Sequence, residues 1–262
     1  QLIKNDDIKI WYKINTIFKI PKVLCNVIIY TNKIYKNTKN LLAVYLYLEA
    51  VLEQLSSLLY YAELVSSNFY YDIKKDCIVL SFDSYNDTIS TIIDIVIDKI
   101  MNIVINDNIN IDYIKEKIHT NLINFIYSPI YTVGMEYFTE KLYYINHTTS
   151  DLLNELPKLE LNDLIKVKKW LTKNCNIHCF IYGNISKKNA MKVGNSFKVF
   201  SCNNKNNKNI KSENKILLLE RGDEFLYINK PQNRFDNNSL IILFFEMIGI
   251  KRFPYNSLLI IS

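Results

Sequence analysis

The regular spacing of apolar residues between positions 41 and 59 constrains the fold more than any other feature of this sequence. Six of these residues follow one another at steps of three and four: Leu41, Tyr45, Leu48, Leu52, Leu55 and Leu59. This spacing places their side chains on one face of a helix of about five turns. The apolar stretch continues to residue 61, but Glu49, Glu53 and Gln54 interrupt it and are costly in a bilayer. We therefore expect a core helix packed on a sheet, not a membrane span.

The rest of the chain up to residue 182 alternates irregularly between strand and helix patterns. Apolar alternation and β-branched runs predict strands at residues 8–12, 23–30, 69–73, 77–82 and 175–182. Helical spacing predicts further helices at residues 89–100, 111–125 and 162–174. Lys115, Glu116 and Lys117 should face water on the second of these helices, and Asn162 should cap the third. The irregular alternation favours an α+β fold.

A polar segment divides the chain. Residues 203–215 are almost entirely Asn, Lys and Ser, cannot bury apolar surface, and should form a flexible linker between a domain at residues 1–202 and a second unit at residues 216–262. The second unit should contain strands at residues 216–219 and 225–228 and a helix at residues 240–248. About forty residues cannot build an independent core of this type, so we expect this second domain to be incomplete. Because the chain opens on Gln1 without a Met and closes on an apolar run, we expect both ends to be cut.

Charge and cysteine content argue against a nucleic-acid-binding protein and against a disulfide-rich secreted domain. The net charge is +6, but the 32 Lys and Arg are scattered and accompany 26 acidic residues, which favours an ordinary solvated surface over nucleic-acid binding. The cysteines are odd in number and irregularly spaced, unlike a disulfide framework: Cys25, Cys77, Cys175, Cys179 and Cys202. No signal peptide is visible. We expect free thiols in a reducing compartment and a cytoplasmic location.

Short motifs occur in a fixed order along residues 8–193. They are Phe-Lys-Ile-Pro-Lys at 18–22, Tyr-Tyr-Ala-Glu-Leu at 60–64, Ser-Tyr-Asn at 84–86, Ile-Asp-Tyr-Ile-Lys-Glu at 111–116, Ser-Pro-Ile-Tyr at 128–131 and Tyr-Gly-Asn-Ile-Ser at 182–186. In order and spacing they resemble the third, middle domain of the insulin-degrading enzyme and pitrilysin (insulinase-like) family of zinc metallopeptidases. Two motifs depart from the family pattern, since Ser84 replaces a Gly and the motif at 111–116 is shortened. Residues 236–258 resemble the start of the family's fourth domain, whose next segment, Arg-x-x-x-Gln-x-Gly-Tyr, is not in this chain.

The resemblance implies a two-layer sandwich of a mostly antiparallel sheet packed with helices, followed by the beginning of a second domain of the same type. It also implies zinc in the N-terminal catalytic domain of the parent protein, held by a His-x-x-Glu-His helix and a more distant Glu. None of His119, His147 and His178 has the required His or Glu at that spacing. We therefore expect no catalytic residue, no metal-binding residue and no cofactor in this chain, and no activity of the chain alone. The resemblance assigns no substrate-binding residue.

One local constellation, Cys175, His178 and Cys179, has the residue types of a zinc site. On a strand, Cys175 and Cys179 share a face but lie about 13 Å apart, while His178 points to the other side. The ligands of one zinc ion must all lie about 2 Å from it. We therefore interpret this segment as a core strand.

The function implied by the resemblance is architectural. The chain would form part of a chamber wall around peptide substrates, with the zinc-bearing N-terminal half of the same protein as its partner. Lysines that face either substrate or plain solvent in such a wall are Lys166, Lys168, Lys169, Lys173, Lys187, Lys188 and Lys192. An alternative is a degenerate paralogue that binds peptides or assembles without proteolysis. A nucleic-acid-binding module would need exposed aromatics interleaved with Lys or Arg on one sheet face, whereas most of the 19 Tyr lie in apolar periodic segments, so we expect neither nucleic acid nor membrane as a partner.

Overall fold

The computed structural model describes residues 1–5, 7–106, 109–143, 146–171, 175–201, 217, 222–230, 233 and 235–245. Two compact units are formed, one by Gln1–Ile123 with His147–Asn214 and one by Asn124–Asn146 with Lys215–Ser262. The strands are β1 (Ile3–Lys4), β2 (Ile8–Ile14), β3 (Lys22–Tyr30), β4 (Asn68–Ile73), β5 (Cys77–Tyr85) and β6 (Asn176–Gly183). The helices are α1 (Thr38–Leu64), α2 (Ile89–Asn102), α3 (Ile111–Ile126), α4 (Ile130–Leu142), α5 (Thr149–Glu155), α6 (Leu161–Leu171) and α7 (Lys187–Ser196).

The described strands form one sheet in the first unit, in the order β1-β2-β6-β3-β5-β4. β2 and β6 run parallel, and the other neighbouring pairs are antiparallel. β6, the last of the described strands, therefore inserts between β2 and β3 near the beginning of the chain. The predicted α+β fold with a mostly antiparallel sheet is confirmed.

One face of the sheet, the core face, is covered by helices. Most strand residues on this face are buried, as Ile10, Val27 and Phe82 show, and they alternate with exposed ones because the period of a strand is two. Helix α7 lies directly on β2, since a Cβ atom on Gly194 would come 2.5 Å from Cδ1 of Ile10. The predicted strands and helices up to residue 182 thus close around a single apolar layer.

The end of β6 requires glycine. Gly183 has a φ of +142°, a conformation that side chains with a Cβ rarely adopt, and such a Cβ would collide with the backbone of Lys22 on β3. Next to it, the Asn184 N–H donates to the Lys22 carbonyl oxygen over 3.0 Å. The Tyr-Gly-Asn-Ile-Ser motif at 182–186 therefore has a physical basis in the close approach of two strands.

Helix α1 is buried on more than the predicted single face. Besides Leu41, Leu48 and Leu55, its first four turns bury residues on every side, including Leu42 and Tyr47, because β4 and the helices α2, α5 and α6 all contact it. The hydroxyl of Tyr47 donates to the carbonyl oxygen of Ile100. By length and composition alone α1 could cross a membrane, but it packs as the predicted core helix. Three of the six predicted face residues are only half-buried: Tyr45, Leu52 and Leu59.

Helices α2 and α3 confirm their predicted positions, but α6 begins differently. The helix starts at Leu161, so Asn162 lies inside it and the predicted N-cap is wrong. The carboxylate of Asp163 instead accepts the backbone N–H of Glu160 over 3.1 Å. On α3, Lys117 is exposed as predicted, yet its Nζ lies 2.6 Å from Oε2 of Glu49.

Among the described residues of the second unit, the regular structure is α4 and the last residues of α3. The ring of Phe138 on α4 lies 5.3 Å from that of Phe244, and the Leu217 N–H donates to the Leu142 carbonyl oxygen over 2.8 Å. The predicted strand at 225–228 and the predicted helix over 240–245 are wrong, because neither segment is regular. A strand needs a neighbouring strand and a short helix needs a packing surface, and Leu226 and Ile228 remain 84% and 86% exposed. The linker at 203–215, its boundaries and Cys202 lie outside the described residues, so the division into domains stays a prediction.

Candidate functional site

The face of the sheet opposite the core face, the open face, carries exposed aromatic and charged side chains. Its residues alternate with the buried ones and are each half-buried or exposed: Lys9, Trp11 and Lys13 of β2, His178, Phe180 and Tyr182 of β6, Leu24, Asn26 and Ile28 of β3, Val79, Ser81 and Asp83 of β5, and Tyr70 and Asp72 of β4. A surface that spans five strands and carries both aromatic and basic groups is a candidate for binding another molecule.

An aromatic cluster lies near the middle of the open face and consists of Trp11, Tyr30, His178 and Phe180. The rings of Trp11 and Phe180 are stacked, with centroids 4.7 Å apart and planes only 6° apart. His178 stands edge-on to Trp11 at 5.3 Å and to Tyr30 at 4.8 Å. Phe180 is 41% exposed, so part of the cluster is accessible to solvent.

Strand register explains why these rings meet. In the parallel pair of β2 and β6, Trp11 is opposite Phe180 and Lys9 is opposite His178. On the other side of β6, Tyr30 of β3 is opposite Asn176. Side chains at opposite and diagonal positions of neighbouring strands are close enough to touch, which brings aromatic residues from three distant segments together.

Charge is unevenly distributed over the open face. Lys4, Lys9 and Lys13 lie at its β1–β2 side, and among the described residues none of the three forms an ion pair with a carboxylate. At the other side, Asp83 lies 3.3 Å from Nζ of Lys22. The aromatic cluster is therefore next to a basic edge whose charges are available to a ligand.

His178 contributes a neutral ring to the cluster. Burial lowers the pKa of His178 below its usual value of 6.5, and the neighbouring ammonium group of Lys9 lowers it further. At neutral pH the imidazole is therefore uncharged and packs as an aromatic ring between Trp11 and Tyr30.

The three histidines do not approach one another. His119 is exposed on α3, and His178 is on the open face. His147, expected in a polar loop, is half-buried, with Nδ1 2.9 Å from Oγ1 of Thr38 and Nε2 3.2 Å from the carbonyl oxygen of Tyr35. These contacts join the loop of His147 to the first residue of α1, and they have no signal in the sequence.

The four described cysteines are buried thiols, and Cys25 and Cys179 lie on the core face of the sheet. Cys179 is on the core face and His178 on the open face, as the strand interpretation predicts. The sulfur atoms of Cys25 and Cys179 lie 3.9 Å apart on β3 and β6, and Sγ of Cys175 points to the Leu171 carbonyl oxygen. Within the ranges that the structure describes, no group of three His, Cys, Asp or Glu side chains is placed to hold a metal ion.

The lysines singled out from the sequence divide into two groups. Lys166 lies 2.9 Å from the Asp163 carboxylate, and Lys168 donates to the Ile103 carbonyl oxygen over 2.9 Å, so both serve intramolecular contacts. The other described lysines of the set are exposed: Lys169 of α6 and Lys187, Lys188 and Lys192 of α7. Lys173 lies outside the described residues. The basic edge with Lys9 and Lys13 was missed, because only the pairing of β2 with β6 places those lysines beside an aromatic cluster.

Residues 1–155 of the chain match the family described as the middle or third domain of peptidase M16. An insulin-degrading enzyme homolog from Dictyostelium discoideum is 23% identical over 234 residues, which is 89% of this chain and 23% of that protein. Human insulin-degrading enzyme is 26% identical over 187 residues, 71% of this chain and 18% of the enzyme. A nardilysin-like protein from Arabidopsis thaliana is 21% identical over 252 residues, 94% of this chain and 24% of that protein.

The fold is similar to that of a solved peptidase. The crystal structure of pitrilysin superimposes with a TM-score of 0.67 at 11% identity, covering 75% of this chain and 21% of that one. The chain thus spans no more than a quarter of the length of these relatives.

Proposed function

Since the chain belongs to the family of the middle or third domain of peptidase M16, we propose that it is a non-catalytic segment of an insulinase-like zinc metalloendopeptidase. Its role would be to form part of the chamber wall that encloses peptide substrates. The observation that carries this proposal is the open face, because the helices of the first unit pack on the core face and leave aromatic and basic side chains available to a peptide.

The catalytic chemistry belongs to another part of the parent protein. Peptide hydrolysis needs an activated water and an electrophile that polarises the carbonyl group, which the family obtains from zinc in its N-terminal catalytic domain. The histidines here do not fit such a site, since His147 is bonded to Thr38 and Tyr35 and His178 is packed in the aromatic cluster. The zinc-bearing half is the partner of this segment. This segment positions the peptide, and the zinc-bearing half cleaves it.

An activity assay tests this division of roles. Residues 1–262 should not cleave a quenched fluorescent peptide, with or without a chelator, and metal analysis after dialysis should find no tightly held zinc. A zinc-bearing half combined with a complete C-terminal half should cleave short unstructured peptides, whereas the same half with this chain should cleave them poorly. Chelator-sensitive turnover that co-purifies with residues 1–262 alone would contradict the proposal.

The parent's own sequence decides whether the enzyme is active. A His-x-x-Glu-His helix in its N-terminal half would support proteolysis. Loss of that motif, together with peptide binding by the open face, would identify a degenerate paralogue that binds or assembles without cleavage. We also propose a cytoplasmic location, which is supported by the odd number and irregular spacing of the cysteines.

A further inference from the structure

We propose that the aromatic cluster and the lysines beside it bind peptide segments in which an aromatic residue is adjacent to acidic residues. This inference rests on the proposed function, because it assumes that the open face lies against a peptide. It adds a substrate class and names the groups that recognise it: the Trp11–Phe180 stack for the ring, and Lys9 and Lys13 for the carboxylates.

The stack provides a flat surface for a planar side chain. Trp11 and Phe180 are held parallel by their positions opposite each other on β2 and β6, and His178 supports the indole edge-on. Their backbones lie in neighbouring strands of the sheet interior, so the rings are pre-positioned and lose little freedom when a ligand ring stacks on them. Aromatic residues on rigid elements are the groups that most often dominate binding surfaces.

The lysines provide the charge preference. Lys9 and Lys13 lie two residues before and after Trp11 on β2, so their Cα atoms are about 6.5 Å from that of Trp11 along the strand, on the same face. Neither is engaged with a carboxylate among the described residues, and Lys4 is opposite Lys9 on β1. A peptide with carboxylates on either side of an aromatic ring matches this arrangement in sign.

The same chemistry argues against a nucleic acid. Lysines and stacked rings are also used to bind single strands, but a polyanion needs a basic path along its length. Here the basic side chains of the β1–β2 side have no carboxylate partner among the described residues, whereas toward the β4–β5 side Lys22 and Lys74 are paired with Asp83 and Asp72. A short acidic and aromatic peptide can use the basic edge alone.

Trp11 fluorescence reports the binding directly. The chain contains 2 Trp residues, so Trp170→Phe in the full chain leaves Trp11 as the sole tryptophan, which is excited at the long-wavelength edge where tyrosine does not absorb. Three unstructured octapeptides serve as probes, with central Asp-Phe-Glu, Lys-Phe-Lys or Asp-Ala-Glu. The first should change the emission saturably and bind at least about tenfold more tightly than the other two, with an affinity that falls as salt rises.

Variants locate the site. Phe180→Ala should weaken binding of the Asp-Phe-Glu peptide by about tenfold, and Lys9→Gln with Lys13→Gln should weaken it severalfold and reduce its salt dependence. The matched controls are Tyr70→Ala, an exposed aromatic at the far side of the same face, and Lys188→Gln on α7, and both should bind normally. If Phe180→Ala fails to fold, as judged by circular dichroism, Phe180→Leu keeps the apolar volume and should still lose the stacking preference.

Three results would overturn the inference: no saturable change with the Asp-Phe-Glu peptide, equal binding of all three peptides, or the same loss in Tyr70→Ala as in Phe180→Ala. Tighter binding of a single-stranded oligonucleotide than of the acidic peptide would also overturn it, in favour of a nucleic-acid surface. The measurement needs no zinc-bearing half, so it is independent of the cleavage assay. Restored cleavage without peptide selectivity here would remove only this inference, whereas selective binding without restored cleavage would remove only the proteolytic role.

Discussion

The two faces of the sheet are built from the same strands and differ in almost every physical property. On the core face Ile10, Val27 and Phe82 are fully buried, while their sequence neighbours Trp11 and Asn26 lie on the open face. A step of one residue along a strand therefore separates side chains that stabilise the fold from side chains that remain available to a partner. Substitutions on the core face should therefore lower the free energy of unfolding, whereas substitutions on the open face should change it little.

The largest expected effect is at the centre of the core face. Phe82 is 1% exposed and packs against Phe69 at 4.9 Å and Phe197 at 6.1 Å between ring centroids. Phe82→Ala should lower the free energy of unfolding by about 3–5 kcal/mol, because it leaves a cavity among rings. Tyr70→Ala on the open face should cost less than about 1 kcal/mol, since that side chain is 60% exposed. Equal losses in denaturant unfolding would mean that the open face is covered.

The next largest effect is expected at a buried carboxylate among the helices that cover the core face, which we compare with an exposed one. Asp163 on α6 is buried, and its oxygens lie 3.1 Å from Nζ of Lys39 on α1 and 2.9 Å from Nζ of Lys166. Burial acts to raise the pKa of Asp163, but the hydrogen bonds from Lys166, the Glu160 N–H and Lys39 outweigh it, so the pKa is lowered below 3.8. Asp163→Asn should cost about 1–3 kcal/mol.

The sign of its pH dependence follows from linkage. Because the folded pKa is below the unfolded one, the carboxylate of Asp163 stabilises the fold above pH 3.8, and this contribution is lost as the pH falls through the folded pKa. The free energy of unfolding should therefore decline less steeply in Asp163→Asn than in the wild type as the pH is lowered from 6 into the acid range. Asp98→Asn, at an exposed position on α2, is the control and should keep the wild-type slope. An unchanged slope in Asp163→Asn would show that this carboxylate is not paired in solution.

A smaller effect is expected where a helix lysine reaches the edge of the sheet. The side chain of Glu49 on α1 is mostly buried and accepts Nζ of Lys117 and the hydroxyl of Tyr71, each at 2.6 Å. The hydrogen bond with Glu49 raises the pKa of Lys117. Lys117→Ala should cost about 1 kcal/mol, because Glu49 would keep only Tyr71 as a partner.

Lys115 supplies the comparison for this pair on the same helix. Among the described residues its Nζ reaches only the Pro157 carbonyl oxygen, at 3.2 Å, so Lys115→Ala should stay within about 0.5 kcal/mol. Chemical denaturation of both variants measures the difference. Identical losses would favour the reading from the sequence, in which both lysines simply face water.

The smallest expected effect is on the open face and depends on pH. Because burial and Lys9 hold the pKa of His178 below 6.5, the unfolded chain binds the proton more readily than the folded one. Stability contributed by the neutral ring is therefore present above pH 6.5 and declines as the pH falls toward the folded pKa, below which it levels off. His178→Gln should flatten this part of the stability profile, and a nuclear magnetic resonance titration should place the pKa of His178 below 6.5. A titration at or above 6.5 would show that the imidazole is not packed between Trp11 and Tyr30.

Local patterns in the sequence were sufficient for most of the first unit. Apolar alternation and β-branched runs located β2, β3 and β5, and steps of three and four located α1, α2 and α3, because these patterns record which residues of each element are buried. The order of the short motifs was sufficient for the family. At residues 225–228 and 240–245 the same patterns failed, since apolar periodicity predicts an element only where another element is present to pack against it.

The candidate site was decided by the tertiary structure. The sequence shows Lys9, Trp11 and Lys13 alternating with apolar residues, but it does not show which strand is next to them. The parallel pairing of β2 with β6, more than 160 residues apart, brings Phe180 onto Trp11 and His178 beside Lys9. Hydrogen bonds of a strand ladder join backbone groups that are the same in every residue, so pairing partners are chosen by the packing of the whole sheet, and a surface made of several strands appears only when that packing is complete.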